Sequence, residues 1–376
     1  MKHSITFVGL DVHKDSIDIA LADEGRNGEV RHYGSIGGDT ASLDKAIRKF
    51  RRAGTELRFV YEAGPCGYEI YRHLTAQGFH CDVIAPSMTP KKSGDRIKTD
   101  RRDARTLARL HRAGELTPVY VPREDDEAMR DLVRGREDAV KANRKAQQRL
   151  SALVLRHGFR YAGRSWSVAH LRWLADIKMP HPAQQITLQE YIHSIEESSE
   201  RVDRLTEQIL KLIPAWRMAP VVTAFQALRG VAPIGATTMV VEIGDLRRFE
   251  NPRQLMAYLG LVSVEDSSGP RQRLGRISRC GNGHARWLIT ECAEHYALAP
   301  KISKALSARQ EGQPQHVRAL SWKAQNRLHL RFTRLLARRL PRNKAKVAVA
   351  RELCGFVWAL LRTQDCYRQP AGGAAS

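Results

Sequence analysis

Four carboxylates in the first third of the sequence, Asp11, Glu62, Asp100 and Asp103, have the type and placement that metal-assisted phosphodiester chemistry needs. Hard divalent cations such as Mg2+, or Mn2+ in its place, prefer oxygen ligands. Two such ions about 3.5–4 Å apart stabilise both the attacking and the leaving oxygen of a displacement at phosphorus. Asp11 closes the apolar run Ile5-Thr6-Phe7-Val8-Gly9-Leu10, and Glu62 closes Leu57-Arg58-Phe59-Val60-Tyr61, so each carboxylate emerges at a strand end. Ala63-Gly64-Pro65 then turns the chain away and leaves Glu62 uncovered. Asp100 and Asp103 lie three apart in Lys98-Thr99-Asp100-Arg101-Arg102-Asp103-Ala104-Arg105, so on a helix both face one way. For any one of these acids, an ordinary surface salt-bridge network is the alternative. Four at element ends, in this order, favour a site. His13 is either a proton carrier or phosphate contact, or a solvated turn residue. Asp15 or Asp18 is a substitute member of the set, with Asp18 less well placed in mid-strand.

The elements that must position these residues follow from hydrophobic periodicity. Residues 5–11 and 17–21 read as strands joined by a hairpin at His13-Lys14-Asp15, with a third strand at 29–33. Thr40 is expected to cap a helix carrying Leu43, Ala46, Ile47 and Phe50. A strand at 57–62, a helix at 67–77, a strand at 81–84 stopped by Pro86, and a helix at 98–111 complete the region. Three hairpin-linked strands followed by alternating strands and helices describe a mixed sheet flanked by helices, the order of an RNase H-like fold.

The formal net charge is +22, from 62 Lys+Arg against 40 Asp+Glu, which calls for a polyanionic partner. Nucleic acid fits better than a membrane, because no apolar run approaches the roughly 20 residues of a spanning helix. No signal-peptide pattern precedes Ile5. The six cysteines contain no CxxC pair, so free thiols in a reducing cytoplasm are expected. Residues 123–157 read as a charged helix with an imperfect apolar stripe. Leu188, Tyr191, Ile195, Ser198, Val202, Leu205, Ile209 and Leu212 form a cleaner heptad seam, either a coiled-coil dimer interface or two helices packed within one chain. Pro214 and Pro220 end this region, and residues 221–299 form a Gly-rich unit. Residues 301–351 hold fourteen Lys/Arg and one acid, Glu311, yet Trp322, Phe332 and Trp358 among leucines mark ordered helix.

Val8-Gly9-Leu10-Asp11-Val12-His13-Lys14, Tyr61-Glu62-Ala63-Gly64-Pro65 and Lys98-Thr99-Asp100-Arg101-Arg102-Asp103-Ala104 resemble the motifs of DEDD transposases. These serve bacterial insertion sequences of the IS-one-ten type and are related to the Piv and MooV recombinases. Val241-Glu242-Ile243-Gly244-Asp245-Leu246-Arg247-Arg248-Phe249 and Leu255-Met256-Ala257-Tyr258-Leu259-Gly260-Leu261 are similar to the C-terminal domain of that family, so the resemblance spans residues 7–293. It implies an α/β protein with a RuvC-like RNase H-fold nuclease domain (1–120), a helical coiled-coil insert (121–220) and a mainly α-helical transposase domain (221–300), beyond which the chain's own residues mark a basic helical tail (301–376). It also implies a Mg2+ site at Asp11, Glu62, Asp100 and Asp103. A nucleophilic serine is implied within a Gly-x-x-Pro-x-x-x-x-Ser-Gly pattern. Gly260, Ser268 and Gly269 match that pattern, Ser263 replaces its proline, and Ser267 is the rival to Ser268.

On its residues alone, Ser267-Ser268-Gly269-Pro270 reads equally as a plain turn. Arg271, Arg273, Arg276 and Arg279 follow with no acid before Arg286, suited to fork-like contacts with phosphate, as are Lys98, Arg101 and Arg102 beside the acids. Ala227-Leu228-Arg229-Gly230-Val231-Ala232-Pro233 is either a packing hairpin or a helix-hairpin-helix contact to DNA phosphates. The resemblance implies DNA partners (element ends and target), a structured guide RNA, a homo-oligomer (dimer or tetramer) and a cytoplasmic, nucleoid-associated location. The alternatives are a metal-dependent nuclease, such as a four-way-junction (Holliday-junction) resolvase needing no serine, and a nucleic-acid-binding protein with a dead catalytic fold.

Overall fold

The computed structural model describes residues 4–25, 27–90, 99–265 and 274–362, and the chain divides into two units, Met1–Val121 and Pro122–Ser376. The first contains β1 (Ser4–Val12), β2 (Ser16–Asp23), β3 (Val30–Gly37), α1 (Thr40–Phe50), β4 (Thr55–Glu62), α2 (Glu69–Ala76), β5 (His80–Ile84) and α3 (Asp100–Ala113). The strands form one sheet in the order β3-β2-β1-β4-β5. β1, β2 and β3 pair antiparallel, and β4 and β5 run parallel to β1. The expected order of elements is therefore present. β3 runs longer than its apolar residues suggest, through a bulge at its own Tyr33, opposite Ile19 and Ala20 of β2. α1 is capped by Asp39, not Thr40: the Ser42 amide donates to the Asp39 carboxylate at 2.8 Å, and a carboxylate is a strong acceptor for an orphan N–H.

Side chains alternate across the sheet, and the two faces are packed differently. Val8, Leu10, Ile17, Ile19, Phe59 and Tyr61 meet Leu43 and Ile47 of α1 and Ile70 and Leu74 of α2. The opposite face is lined by small residues, Ala20 and Ala22 against Ala104 and Ala108 of α3. Gly9 belongs to this second face. A Cβ there would stand 2.3 Å from the Ala104 carbonyl oxygen and 2.5 Å from the Ala108 nitrogen. The absence of a side chain at Gly9 thus lets the α3 backbone lie directly on β1.

In the second unit, α4 (Glu124–Arg156), α5 (Val168–Asp176) and α6 (Pro182–Leu212) come first. The stripe of α6 packs on α4 of the same chain: Leu188 and Ile195 share a core with Ala146, Leu150, Leu153 and Val154. The Arg136 guanidinium of α4 donates to the Thr206 hydroxyl of α6 at 2.6 Å. Leu212, the last residue of the stripe, is exposed. Then follow α7 (Ala219–Gln226), α8 (Pro233–Ile243), α9 (Pro252–Tyr258), β6 (Ser263–Glu265), β7 (Leu274–Ile277), α10 (Gly283–Glu294), α11 (Lys304–Gln310), α12 (Gln315–Ala337) and α13 (Arg342–Arg362). The turn between α7 and α8 is used for packing, with Ala227, Leu228 and Val231 fully buried. Its Arg229 donates to the Leu298 and Ala299 carbonyls.

One core joins Val221, Phe225 and Met239 to Leu328 and Phe332 of α12 and Leu353 of α13. The basic C-terminal helices are therefore built into this core, with Arg318, Lys323, Arg327, Arg331 and Arg334 on the exposed side. No helix among the described residues is long and apolar enough to cross a membrane.

Gly9→Val is expected to push α3 off β1 and to cost about 2–3 kcal/mol of stability, the scale of overpacking a close contact. Urea unfolding of the purified chain measures it; an unchanged midpoint would contradict the packing described.

Candidate active site

The register of β1 with β4 ends at Leu10 beside Tyr61, so the next residues on the two strands are Asp11 and Glu62. Asp11 follows Gly9 by two, and Glu62 follows Val60 by two. Val60 packs against Leu107 of α3, so both acids stand on the face that α3 covers. α3 runs antiparallel to β1. Its His111 ring meets Phe7 edge-on (centroids 5.3 Å apart), Ala104 and Ala108 cover Gly9, and its first turn arrives beside Asp11. That turn carries Asp100 and Asp103. His13 completes the group, with Nε2 3.3 Å from Asp11 Oδ2 and 3.6 Å from Asp100 Oδ1. The ligand atoms of Asp11, His13 and Asp100 all lie within 4.8 Å of one another.

Asp11 is the buried member, its side chain 17% exposed against 58% for Asp100, so the group opens to solvent on the helix side. Burial pushes the Asp11 carboxyl above its ordinary range; His13 opposes this, while the charges of Asp103 and Asp100 add to it. Carboxylates crowded where each raises the cost of ionising the next are relieved by a cation. Carboxylate oxygens are the donors a hard divalent metal prefers, so the acids present fit Mg2+ or Mn2+. Asp103 acts on Asp11 by charge, from one turn along the helix. Glu62 stands one strand away, half-buried, and accepts a hydrogen bond from the Thr89 hydroxyl at 2.9 Å.

Three neighbours carried less weight in the sequence than their positions merit. His13 follows Asp11 by two, just past the end of β1, and its ring turns back to the Asp11 carboxylate. Asp18 is the direct cross-strand partner of Asp11, and its carboxylate accepts from His32 Nε2 at 2.7 Å. A three-residue turn at 13–15 sets that register, which was the available signal. Thr89, which holds Glu62, lies 27 residues downstream and left none.

In the second unit, Ser267, Ser268, Arg271 and Arg273 lie outside the described residues, as does Lys98 in the first. Arg101 and Arg102 on α3 are exposed, and so are Arg276 and Arg279. β6 and β7 pair antiparallel on either side of residues 266–273. The chain leaving β7 is pinned down tightly. Arg279 takes a left-handed φ of 56°, and a Cβ on Gly281 would stand 2.0 Å from the Tyr258 carbonyl oxygen. Asn282 caps α10 and donates to Glu242 Oε2 at 2.7 Å.

Glu242 is the hub of this region. It is the one acid in the apolar helix α8, its side chain 1% exposed. Arg134 grips it through two nitrogens at 2.8 and 3.0 Å. His284 lies 3.3 Å from Glu242 through one ring nitrogen and 2.6 Å from Glu137 through the other. Burial works to raise the Glu242 carboxyl, but the hydrogen bonds from His284, Arg134 and Asn282 outweigh it and hold it far below the usual range.

Residues 222–308 match the family described as Transposase IS116/IS110/IS902 family, and residues 8–159 match a second transposase family, the DEDD type of the IS110 elements. The chain is 47% identical over 357 residues to the putative transposase y4qE of Sinorhizobium fredii (strain NBRC 101917 / NGR234), covering 95% of this chain and 88% of that one. The chain belongs to the IS116/IS110/IS902 transposase family. It is also 29% identical over 343 residues to the transposase for insertion sequence element IS1533 of Leptospira borgpetersenii, covering 90% of this chain and 99% of that protein. With the transposase for insertion sequence element IS1111A of Coxiella burnetii it shares 24% over 374 residues, 97% of this chain and 92% of the relative. The chain is thus a DNA transposase, a recombination enzyme whose partner is DNA. The first matched stretch contains all four acids; the second contains Glu242, Asn282 and residues 266–273.

Two outcomes follow from the electrostatics. A folded-state pKa raised at Asp11 means that its ionised form weakens the fold once pH exceeds the ordinary aspartate range, fully so above the raised value. Asp11→Asn should therefore raise the melting temperature in chelator at neutral pH by about 2–4 °C, while a lower one would contradict the unfavourable burial and crowding of that carboxylate. The lowered Glu242 gives the opposite sign: its stabilisation is complete above the ordinary glutamate value of 4.5 and is lost as pH falls through the depressed one. Glu242→Gln is expected to cost roughly 2–4 kcal/mol at pH 7 in urea unfolding, less at low pH; no difference at pH 7 would show that the network is not stabilising.

Proposed function

We propose that this transposase cuts and rejoins DNA with two sets of residues, one in each half of the chain. Asp11, Glu62, Asp100 and Asp103 hold Mg2+, with Mn2+ as a substitute, and orient the scissile phosphate. Bound there, the ion supplies Lewis-acid stabilisation of the charge on phosphoryl oxygens. His13 Nε2 is the imidazole beside the acids that carries a proton to or from the reacting oxygens. Ser268, with Ser267 as the alternative, is contributed by the C-terminal half of another protomer in a dimer or tetramer. Its Oγ bonds to phosphorus as the P–O bond to the leaving deoxyribose breaks, and the phosphoserine link holds the DNA end until a hydroxyl reclaims it.

The observation that carries this reading is the convergence of Asp11, His13 and Asp100 at the end of β1, with separations of 3.3 and 3.6 Å from the imidazole. We read the sheet unit (1–120) as a RuvC-like RNase H fold and residues 121–220 as a coiled-coil module. Residues 221–300 are read as the serine-bearing domain, with 301–376 completing its core. Arg271, Arg273, Arg276 and Arg279, with Lys98, Arg101 and Arg102, hold phosphates, as does the exposed basic side of α12. As the family resemblance implies, sequence choice is delegated to a structured RNA from the element's non-coding end. The reaction then takes place on the bacterial nucleoid, in the cytoplasm.

The test uses the full chain, its element ends, guide RNA and Mg2+, denatured and resolved for protein covalently joined to DNA. Wild type is expected to give the adduct, Ser268→Ala none, and Asp11→Ala a loss of about 1,000-fold or more in cleaved product. An adduct from Ser268→Ala would overturn the serine assignment, and full cleavage by Asp11→Ala the metal site. Cleavage with no adduct from wild type would favour a resolvase-like hydrolysis by water.

A further inference from the structure

The far end of α3 carries a second cluster of different chemistry. His111 lies eleven residues after Asp100, about 16 Å along the helix from the carboxylates. Strand β5 reads His80-Cys81-Asp82, so His80 and Asp82 face one way, and Asp82 pairs with Val60 on the face that α3 covers. His111 Nε2 is 3.1 Å from Asp82 Oδ2, and His80 Nε2 is 3.9 Å from Asp82 Oδ1. The two imidazoles are nearly parallel, centroids 6.3 Å apart, and the three ligand atoms lie within 4.8 Å of one another. His111 is nine-tenths buried beneath Phe7, while His80 is half-exposed.

We infer that His80, Asp82 and His111 form a second metal site, for a zinc-class transition ion, that fastens α3 to the edge strand. Two imidazoles and a carboxylate are the donor set of three-ligand zinc sites, which leave a fourth position to water. Such a set is softer than the carboxylates at Asp11 and selects a different ion. Ligand atoms about 2.1 Å from a tetrahedral ion stand about 3.4 Å apart. The His111–Asp82 edge is already shorter than that, and half-exposed His80 has the freedom to close the other two. The fourth position lies on its solvent side.

Two features limit the affinity. His111 Nδ1 is buried without a hydrogen-bond partner, so nothing in the fold orients the ring from behind; missing support of that kind costs about 10–100-fold in metal affinity. Arg58 places a cation near Asp82, although its Nε is taken by Glu56 at 2.7 Å. Binding near the micromolar range, not the tightest structural-zinc range, is the expectation. The inference is independent of the transposition chemistry proposed above.

The test is a Co2+ titration of the chelator-stripped full chain, read by visible absorption, with Zn2+-dependent melting alongside. One equivalent with visible ligand-field bands is expected in wild type and equally in the Asp11→Asn/Asp100→Asn double variant. His80→Ala, at a half-exposed position where folding is undisturbed, should weaken binding by about 100-fold or more and abolish the Zn2+ shift, as should His111→Gln. Absence of bands at millimolar Co2+, bands that survive His80→Ala, or bands lost in the Asp11/Asp100 variant would each overturn the site.

Discussion

At Gly9 the backbone of α3 lies so close to β1 that not even a methyl group fits between them. Much else follows from that contact. The alanines at 20, 22, 104 and 108 make the seam shallow along its length, and a shallow seam fixes the height of the helix above the sheet. Because α3 runs antiparallel to β1, its first turn then falls beside the residue two beyond Gly9, which is Asp11. The position of Asp100 relative to Asp11 is thus decided by packing and not by any attraction between the two, since like charges at that separation repel. A fold that forces carboxylates together favours a cation between them; burial raises the Asp11 carboxyl first, and the charges of Asp103 and Asp100 add to it.

The second unit solves a related problem with opposite chemistry. Glu242 is buried in an apolar helix, where an unpaired carboxylate would be prohibitively costly. Arg134, Asn282 and His284 supply the donors. Their convergence ties α4, α8 and the start of α10 together just beyond β7. The network thus anchors the chain that follows β7 through Asn282.

Much of this was legible in the residue order. The apolar runs of β1 and β4, each closed by an acid, and the i, i+3 spacing of Asp100 and Asp103 assign the acids to their elements from residue order alone. The α6 stripe was equally plain, but one stripe does not name its partner; α4 presents an irregular apolar face and shows itself only once the two helices are side by side. Thr40 and Asp39 are both capping residue types, and the choice between them depends on backbone direction. Glu242 had the weakest signal, because its partners sit 40 to 108 residues away and no local pattern links them. The basic segment 301–351 reads as a charged tail, yet its leucines and Phe332 recur densely enough to bury one side of each helix.

The central claim is that the seating of α3 on β1 creates one divalent-metal site from Asp11 and the first turn of the helix. Crystals of the full chain grown with Mn2+ test it directly through the metal's anomalous scattering. The account predicts a peak about 2.1–2.2 Å from carboxylate oxygens of both Asp11 and Asp100. A peak that engages Asp100 without Asp11, or no peak at the end of β1 at saturating Mn2+, would contradict it.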